Sequence, residues 1–361
     1  MLTHLSKTVM HLSELDTPVP VVDLDRVEGN ITKLQTYLDK HGIRSRPHIK
    51  THKLPALAYK QLEAGAVGIT CQKISEAAVM AAAGIKDILI SYNIIGKAKI
   101  EPLSQLAKQT NLSIATDNKV ALETISKAAE RAEKPIKILV EFESGNNRVG
   151  VQTPQAALKL ARDVEEKDWL EFVGLMTYPC GEQAASFIAD AKPLFERADI
   201  EIQVISAGGT PNMWQVNEVK GVTELRAGTY IYNDRNIVGS GAASLEECAL
   251  HVHATVVSRP TDDRAVIDAG SKTLSSDLIK PEYGKGYGLV LEYPEAVIYK
   301  LNEEHGIIDV SACKSKPQIG EVIRIIPNHA CVVTNLHDEV VMHRKGAVEG
   351  IWTVWARGKT R

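Results

Sequence analysis

Arg44-Ser45-Arg46-Pro47-His48-Ile49-Lys50-Thr51-His52-Lys53 follows an amphipathic segment that ends at Gly42 and precedes a helix-like run that starts at Leu54. Ser45–Ile49 reads as a strand, so the stretch is a strand opening into a helix through a short basic turn. The same alternation extends both ways. Before it, Val19–Asp23 reads as a strand and 26–41 as a helix, with Asp25 as cap and Ile31, Leu34, Tyr37 and Leu38 as the buried stripe. After it come helix 54–64, strand Val67–Thr70, helix 75–83 closed at Gly84, strand Asp87–Ser91, helix 97–109, strand Leu112–Thr116 and helix 118–132. Strand Lys137–Glu143, helix 154–167, strand Phe172–Met176, helix 182–197 and strands Ile202–Ser206 and Thr223–Arg226 complete the series. Regular βα units with short loops predict a TIM-type (β/α)8 barrel over 20–245 rather than a doubly wound sheet.

The texture changes after residue 245. His251–Ser258, Arg264–Asp268, Gly288–Leu291, Val297–Leu301, Ile307–Ser311, Glu321–Ile326, Glu339–His343 and Ile351–Ala356 read as strands split by Gly, Pro and Asp turns. The expected fold class is therefore α/β: a barrel over 20–245, followed by a β-rich domain built from 246–361 with 1–19 joining it.

The 361 residues carry a formal net charge of -3, with 44% hydrophobic and 24% charged residues, as in an ordinary globular enzyme. That balance gives no pull toward nucleic acid or an anionic membrane. No apolar run approaches a membrane span, and Met1–Lys7 has no signal-peptide character, so a cytoplasmic protein is expected. The five cysteines are odd in number and widely spaced, which predicts reduced thiols rather than a disulfide framework.

Lys50 stands at a strand exit, where a lysine can form a Schiff base with an aldehyde cofactor. Arg46, His48 and Lys53 supply cationic neighbours. Lys53 is the rival within the segment, and a helix beginning after Lys50 would turn it outward. The plain alternative for the ten residues is a basic surface loop. Ser206-Ala207-Gly208-Gly209-Thr210-Pro211 offers consecutive glycine amides and a hydroxyl, an anion nest at the late-strand position where barrels bind phosphate. Arg226-Ala227-Gly228-Thr229-Tyr230 follows the next strand and suits the same phosphate. Glu143–Gly150 is a tight polar loop that places Arg148 where it can donate to a cofactor oxygen. Tyr178, in Met176–Gly181, can contact a cofactor ring, and Cys180 beside it has no evident base.

His329-Ala330-Cys331, read as extended chain, puts imidazole and thiol on one face. Such a pair can hold a divalent ion completed by water and substrate, and the soft thiolate favours Zn²⁺. A buried histidine beside an inert core cysteine is the bland reading. His305 is a further candidate for proton transfer. Asp268–Lys272 with Ser275-Ser276-Asp277 is a polar run suited to lining a pocket or an interface.

The segment Arg46–Lys53 resembles the lysine motif of the D-threonine aldolase and D-serine dehydratase family, and the similarity runs across nearly the whole chain. The resemblance implies an alanine-racemase-type, fold-type III enzyme: a pyridoxal-phosphate (PLP) barrel followed by a β domain, usually paired as a homodimer. It implies that Lys50 carries the cofactor, that Arg148 bonds its ring side, and that Gly208-Gly209-Thr210 and Gly228-Thr229-Tyr230 cradle its phosphate. His329 and Cys331 fall on the family's metal pair, with Zn, Mn or Mg as candidates. Histidine plus cysteine resembles the zinc-dependent dehydratases. Gln72–Ala77, Asn335–Asp338 and Trp355–Gly358 resemble the aldolases. The expected activity is a lyase that cleaves D-3-hydroxy amino acids, D-threonine-like, to glycine and an aldehyde. The metal would act on the β-hydroxyl, with His305, His52 or a metal-bound water as base. The alternative is a D-serine or D-3-hydroxyaspartate dehydratase giving a keto acid and ammonia. Racemisation and a PLP-homeostasis role leave the metal pair unexplained.

Overall fold

The computed structural model describes residues 10–361. The reading of Met1–Lys7, and the first nine residues assigned to the β-rich domain, lie outside the described residues. The chain opens with β1 (Val19–Asp23) and α1 (Leu24–Lys40). Then follow β2 (Arg44–Ser45), α2 (Pro55–Glu63), β3 (Ile69–Cys71), α3 (Ile74–Ala82), β4 (Asp87–Ile90), α4 (Ile100–Gln109), β5 (Asn111–Thr116), α5 (Lys119–Ala132) and β6 (Ile136–Phe142). The alternation ends with α6 (Pro154–Glu165), β7 (Leu170–Thr177), α7 (Glu182–Arg197), β8 (Val204–Gly208), β9 (Glu224–Arg226) and α8 (Arg235–Gly239). The remainder is β10 (Leu250–Thr261), β11 (Arg264–Ile267), α9 (Ser271–Leu274), β12 (Gly288–Val290), β13 (Val297–Leu301), β14 (Gly306–Asp309), β15 (Val322–Pro327), α10 (Ala330–Leu336), β16 (Glu339–Arg344) and β17 (Ala347–Thr353).

Two compact units result. One holds Ile31–Gly228 and the last four residues; the other holds the described residues through Asn30 together with Thr229–Arg357. In the first, eight parallel strands run in the order β2-β9-β8-β7-β6-β5-β4-β3. The ends of this sheet meet. Val67 N donates to Ser45 O (2.9 Å), Thr70 N donates to Pro47 O (2.8 Å), and His48 pairs in parallel with Thr70. The expected barrel is thus a closed one.

Alternation along β6 shows how the wall is built. Ile136, Ile138, Val140 and Phe142 take one parity and are buried, and Phe142 stacks on Phe187 of α7. Leu139, on the other parity, packs inside with Leu89, Ala115, Val173 and Met176. Lys137 and Leu139 line the cavity at the strands' N-terminal ends, and Glu141 lines the one at their C-terminal ends.

The second unit is a nine-stranded sheet with the path β13-β14-β11-β10-β1-β16-β17, and β15 joins both β10 and β12. β1 pairs antiparallel with β10 and parallel with β16, so the N-terminal strand is central to a domain formed mostly by the C-terminal third. Among the described residues, no helix is long and apolar enough to cross a membrane.

Three local expectations are corrected. Strand 45–49 shrinks to Arg44–Ser45, and Ile49–Thr51 is a 3₁₀ turn capped by His48, whose ring accepts from Lys50 N. The first helix is capped by Asp23 rather than Asp25: Asp23 Oδ1 accepts from the amides of Asp25 (2.9 Å) and Arg26 (3.3 Å). His329 and Cys331 do not share an extended segment, because α10 begins at Ala330 with His329 as its N-cap residue.

Candidate active site

The barrel unit gathers most of the predicted residues at the C-terminal ends of its strands. Lys50 is exposed on the turn after β2, and its amide is held by His48 Nδ1 (3.4 Å). His48 is buried. Its Nε2 lies 2.9 Å from Gln72 Oε1 after β3 and 3.2 Å from Ser91 Oγ after β4. Burial, and then the charge of Lys50, holds this imidazole well below its ordinary pKa, so it is a neutral hydrogen-bonding post.

Lys53, expected to point outward, does the opposite. It has φ 58°, is 7% exposed, and its Nζ lies 3.5 Å from Glu76 Oε1. The chain turns at Lys53 instead of continuing helically, since α2 starts only at Pro55. His52 is fully buried, accepts from Leu54 N (3.1 Å) and lies 3.3 Å from Gln61 Oε1. Burial drops its pKa to about 4. A ring so enclosed braces the loop.

Around the rim, Gln72, Ser91, Tyr92, Asn93, Ile95, Lys99, Glu141, Arg148 and Val149 line a cavity of about 520 Å³. Arg148 is half-exposed, lies over the Tyr178 ring (5.0 Å to the centroid) and is 3.9 Å from Glu141. Its loop is shaped from within. Glu143 Oε1 accepts from the amides of Gly145, Asn146 and Asn147, and Oε2 from that of Arg148. This amide nest is therefore filled by its own carboxylate, and what the loop presents outward is the guanidinium.

The glycines of the two late loops stand where a side chain would be crowded. A Cβ on Gly208 would meet Arg226 Nη2 at 3.0 Å and Tyr178 Cδ2 at 3.1 Å; on Gly228 it would meet His48 O at 3.1 Å and Thr51 Oγ1 at 3.2 Å. Gly209 has φ +119°, and Thr210 is buried. A backbone kept this bare suits close approach of an anion.

Two residues were missed from sequence. Arg226, buried on β9, donates through Nη1 to Ser206 Oγ (2.7 Å) and through Nη2 to Thr177 O (2.9 Å). Ser206 Oγ donates to Glu224 Oε1 (2.6 Å), and Arg46 Nε donates to Glu224 Oε2 (2.8 Å). Glu141 faces the same interior, and burial pushes its pKa up to about 7 against the pull of Arg226 and Arg148. The available signal was parity: both occupy inward positions on strands whose other parity is apolar.

Thr229 and Tyr230 begin the β-rich unit, where the remaining candidates lie. Thr229 Oγ1 is 3.7 Å from Cys331 Sγ. His329 Nδ1 is 2.7 Å from Asp277 Oδ2. Contact with Cys331, then Asp277, raises His329 to about 10 against the opposing effect of burial. The N-terminus of α10 is fixed by Asp234, which is 1% exposed: Oδ2 accepts from Ala330 N (3.0 Å) and Oδ1 from Ile237 N (3.0 Å). One carboxylate thus caps two helices. Among the described residues no group of three or more His, Cys, Asp or Glu is gathered for a metal. The thiol and imidazole are a two-donor set, one fewer than the three protein ligands usual at a catalytic zinc, so an ion there would take its remaining ligands from water or substrate. His305 is exposed in the β13–β14 turn, where its carbonyl accepts from Asn302 N (2.8 Å).

Comparison with known proteins agrees with this layout. Residues 22–236 match the alanine racemase N-terminal domain model, and 249–343 match the serine dehydratase domain model (D-ser_dehydrat). The chain is 36% identical to a D-threonine aldolase of Arthrobacter sp., over 97% of this chain and 95% of that one. The crystal structure of D-threonine aldolase from Filomicrobium marinum superposes with TM-score 0.87 at 31% identity, covering 98% of this chain and 99% of that one. A cysteine-to-alanine mutant of D-threo-3-hydroxyaspartate dehydratase, described as metal-free, superposes with TM-score 0.86 at 29% identity, covering 95% and 98%.

Proposed function

The chain belongs to the fold-type III PLP family that includes D-threonine aldolase and D-threo-3-hydroxyaspartate dehydratase, and from that premise we propose that it is a lyase cleaving D-3-hydroxy amino acids of the D-threonine type to glycine and an aldehyde. One observation carries this reading: 36% identity to a D-threonine aldolase over 97% of the chain.

Family membership implies PLP as cofactor, and the bare late-loop backbone and exposed Lys50 suit it. Lys50 would hold it through Nζ. Gly208, Gly209 and Thr210, with Gly228, Thr229 and Tyr230, would take its phosphate. Arg148 and Tyr178, already paired, would hold its ring side. When bound, PLP supplies an electron sink for charge developing at the substrate Cα. Glu141 and Arg226 would set the polarity beneath it.

His329 and Cys331 would hold a divalent ion, with Zn²⁺ favoured by the thiolate over Mn²⁺ or Mg²⁺. Such an ion supplies Lewis acidity toward the β-hydroxyl. His305 keeps an accessible ring and remains the histidine candidate for moving the β-hydroxyl proton, whereas His52 is enclosed.

Dehydration is the second reading. It is favoured by the histidine–cysteine pair and by likeness to a dehydratase whose cysteine variant is described as metal-free. Incubation with D-threonine, D-serine and D-3-hydroxyaspartate, followed by mass analysis, separates the two. Glycine with an aldehyde is the expected result. A keto acid with ammonia, and no glycine from any substrate, overturns the aldolase reading.

A further inference from the structure

We propose that Asp277 is the positioning residue of the metal pair: it holds the His329 ring through Nδ1 so that Nε2 is the nitrogen left for the ion. This rests on the assignment of His329 and Cys331 as metal donors, and it concerns a residue that neither the lysine motif nor the metal pair includes.

The His329 Nδ1 to Asp277 Oδ2 distance is 2.7 Å, the length of a charge-assisted hydrogen bond. A carboxylate on one imidazole nitrogen fixes the tautomer, the ring plane and the basicity of the other. Asp277 is itself held at both backbone groups. Its amide donates to Ser275 Oγ (3.2 Å), and its carbonyl accepts from Asn328 Nδ2 (2.9 Å). Asn328 is pinned in turn, since Nδ2 also donates to Gly286 O (2.8 Å) and Oδ1 accepts from Arg235 Nη1 (3.4 Å). Asn328 is 1% exposed and directly precedes His329, so the loop carrying the carboxylate and the loop carrying the ligand are tied by one side chain. Ser275 is buried with φ 69°, a left-handed conformation that a non-glycine residue keeps only where its surroundings impose it. The Asp277 carboxylate is 45% exposed, so what places it on the His329 ring is a backbone held at both of its polar groups.

A ligand role for Asp277 is the rival explanation, and substitution separates the two. An asparagine keeps an oxygen that can accept from Nδ1–H but is a poor ligand in place of a carboxylate. Zn²⁺ affinity is measured by competition with a chromophoric chelator, and Co²⁺ loading is followed through the thiolate charge-transfer band that reports Cys331. Wild type is expected to bind both ions and Cys331→Ala to lose the Co²⁺ band. Asp277→Ala is expected to weaken Zn²⁺ about 10- to 100-fold, and Asp277→Asn to recover most of that loss with an unchanged Co²⁺ spectrum. Tight binding by Asp277→Ala overturns the positioning role while leaving the metal pair standing. An asparagine variant as weak as the alanine one overturns it in favour of direct ligation. A wild type that binds neither ion overturns both assignments together.

Discussion

At the scale of single residues, two lysines three positions apart have opposite surroundings. Lys50 is exposed at the barrel mouth; Lys53 is buried on Glu76. The purpose of Lys53 can be followed bond by bond. Glu76 Oε2 accepts from Gln72 N (2.6 Å), and Gln72 Oε1 meets His48 Nε2 (2.9 Å), whose ring supports Lys50 N. Removing one partner of a buried ion pair leaves the other charge uncompensated, which costs about 3–5 kcal/mol, whereas replacing both with apolar groups costs much less. Lys53→Met is therefore expected to destabilise the protein by about 3 kcal/mol, and Lys53→Met/Glu76→Leu to regain most of it in urea unfolding. Borohydride reduction of the holoenzyme, followed by peptide mapping, should place the pyridoxyl group on Lys50 in wild type and in Lys53→Met alike. An adduct on Lys53, or on no lysine, would sink the assignment.

At the scale of elements, the strongest constraint lies in the barrel wall. β7 carries a bulge: Ile138 pairs with Phe172, but Leu139 pairs with Gly174, leaving Val173 extra. Gly174 has φ +155°, and a Cβ there would fall 1.8 Å from Val204 O in the neighbouring strand. Gly174→Ala must push β8 off its ladder, and a loss of about 3 kcal/mol or more is expected in urea unfolding. A shift within a few tenths of a kcal/mol would refute the close approach. The elements themselves were legible from period: 182–197 and 297–301 appear as read, because long amphipathic or alternating runs carry their own signal. What sequence could not supply was non-local. His329–Cys331 reads as extended because the residue at the cap position is His329, which makes no side-chain cap bond, while the neighbouring Asn328 amide is spent on Asp277 and Gly286; the cap comes from Asp234, 96 residues earlier. The outward turn expected of Lys53 failed for a similar reason, since its partner Glu76 lies on α3, 23 residues later in the chain. Lys50, Arg148, Tyr178 and Gly208 could be found because each follows a strand in a fold whose strand ends face one way. Arg226 and Glu141 lie within strands rather than after them; parity singles them out as polar positions, but which parity faces the barrel interior is decided only when the sheet closes.

At the scale of the whole molecule, the β-rich unit carries a burial pattern that ties stability to pH. His251 and His253 lie on β10 opposite Val21 and Val19 of β1, and His343 lies on β16 opposite Asp23. All three are buried. Burial, followed by Arg26, His253, Arg324 and His343, lowers His251 to about 3. Burial, followed by Arg324 and His343 and opposed by Glu292, lowers His253 to about 4. His343 is lowered by burial and Arg26 against Asp23 and Asp25. In the unfolded chain each imidazole returns to the ordinary value near 6.5. At these three groups the unfolded state therefore binds more protons than the folded one between about pH 6.5 and pH 4, and their contribution to stability rises with pH across that window. The stabilisation is fully present above about pH 6.5 and is lost as pH falls toward the folded values, at up to about 1.4 kcal/mol per pH unit for each group. Wild type is expected to weaken in urea unfolding from pH 7 to pH 5, with the raised carboxyls of Glu141 and Asp234 opposing the imidazoles. His251→Gln/His253→Gln should flatten that slope even if its stability at pH 7 is lower, because the slope counts protons and not contacts. An equal slope in the double variant would mean that the acid sensitivity resides elsewhere.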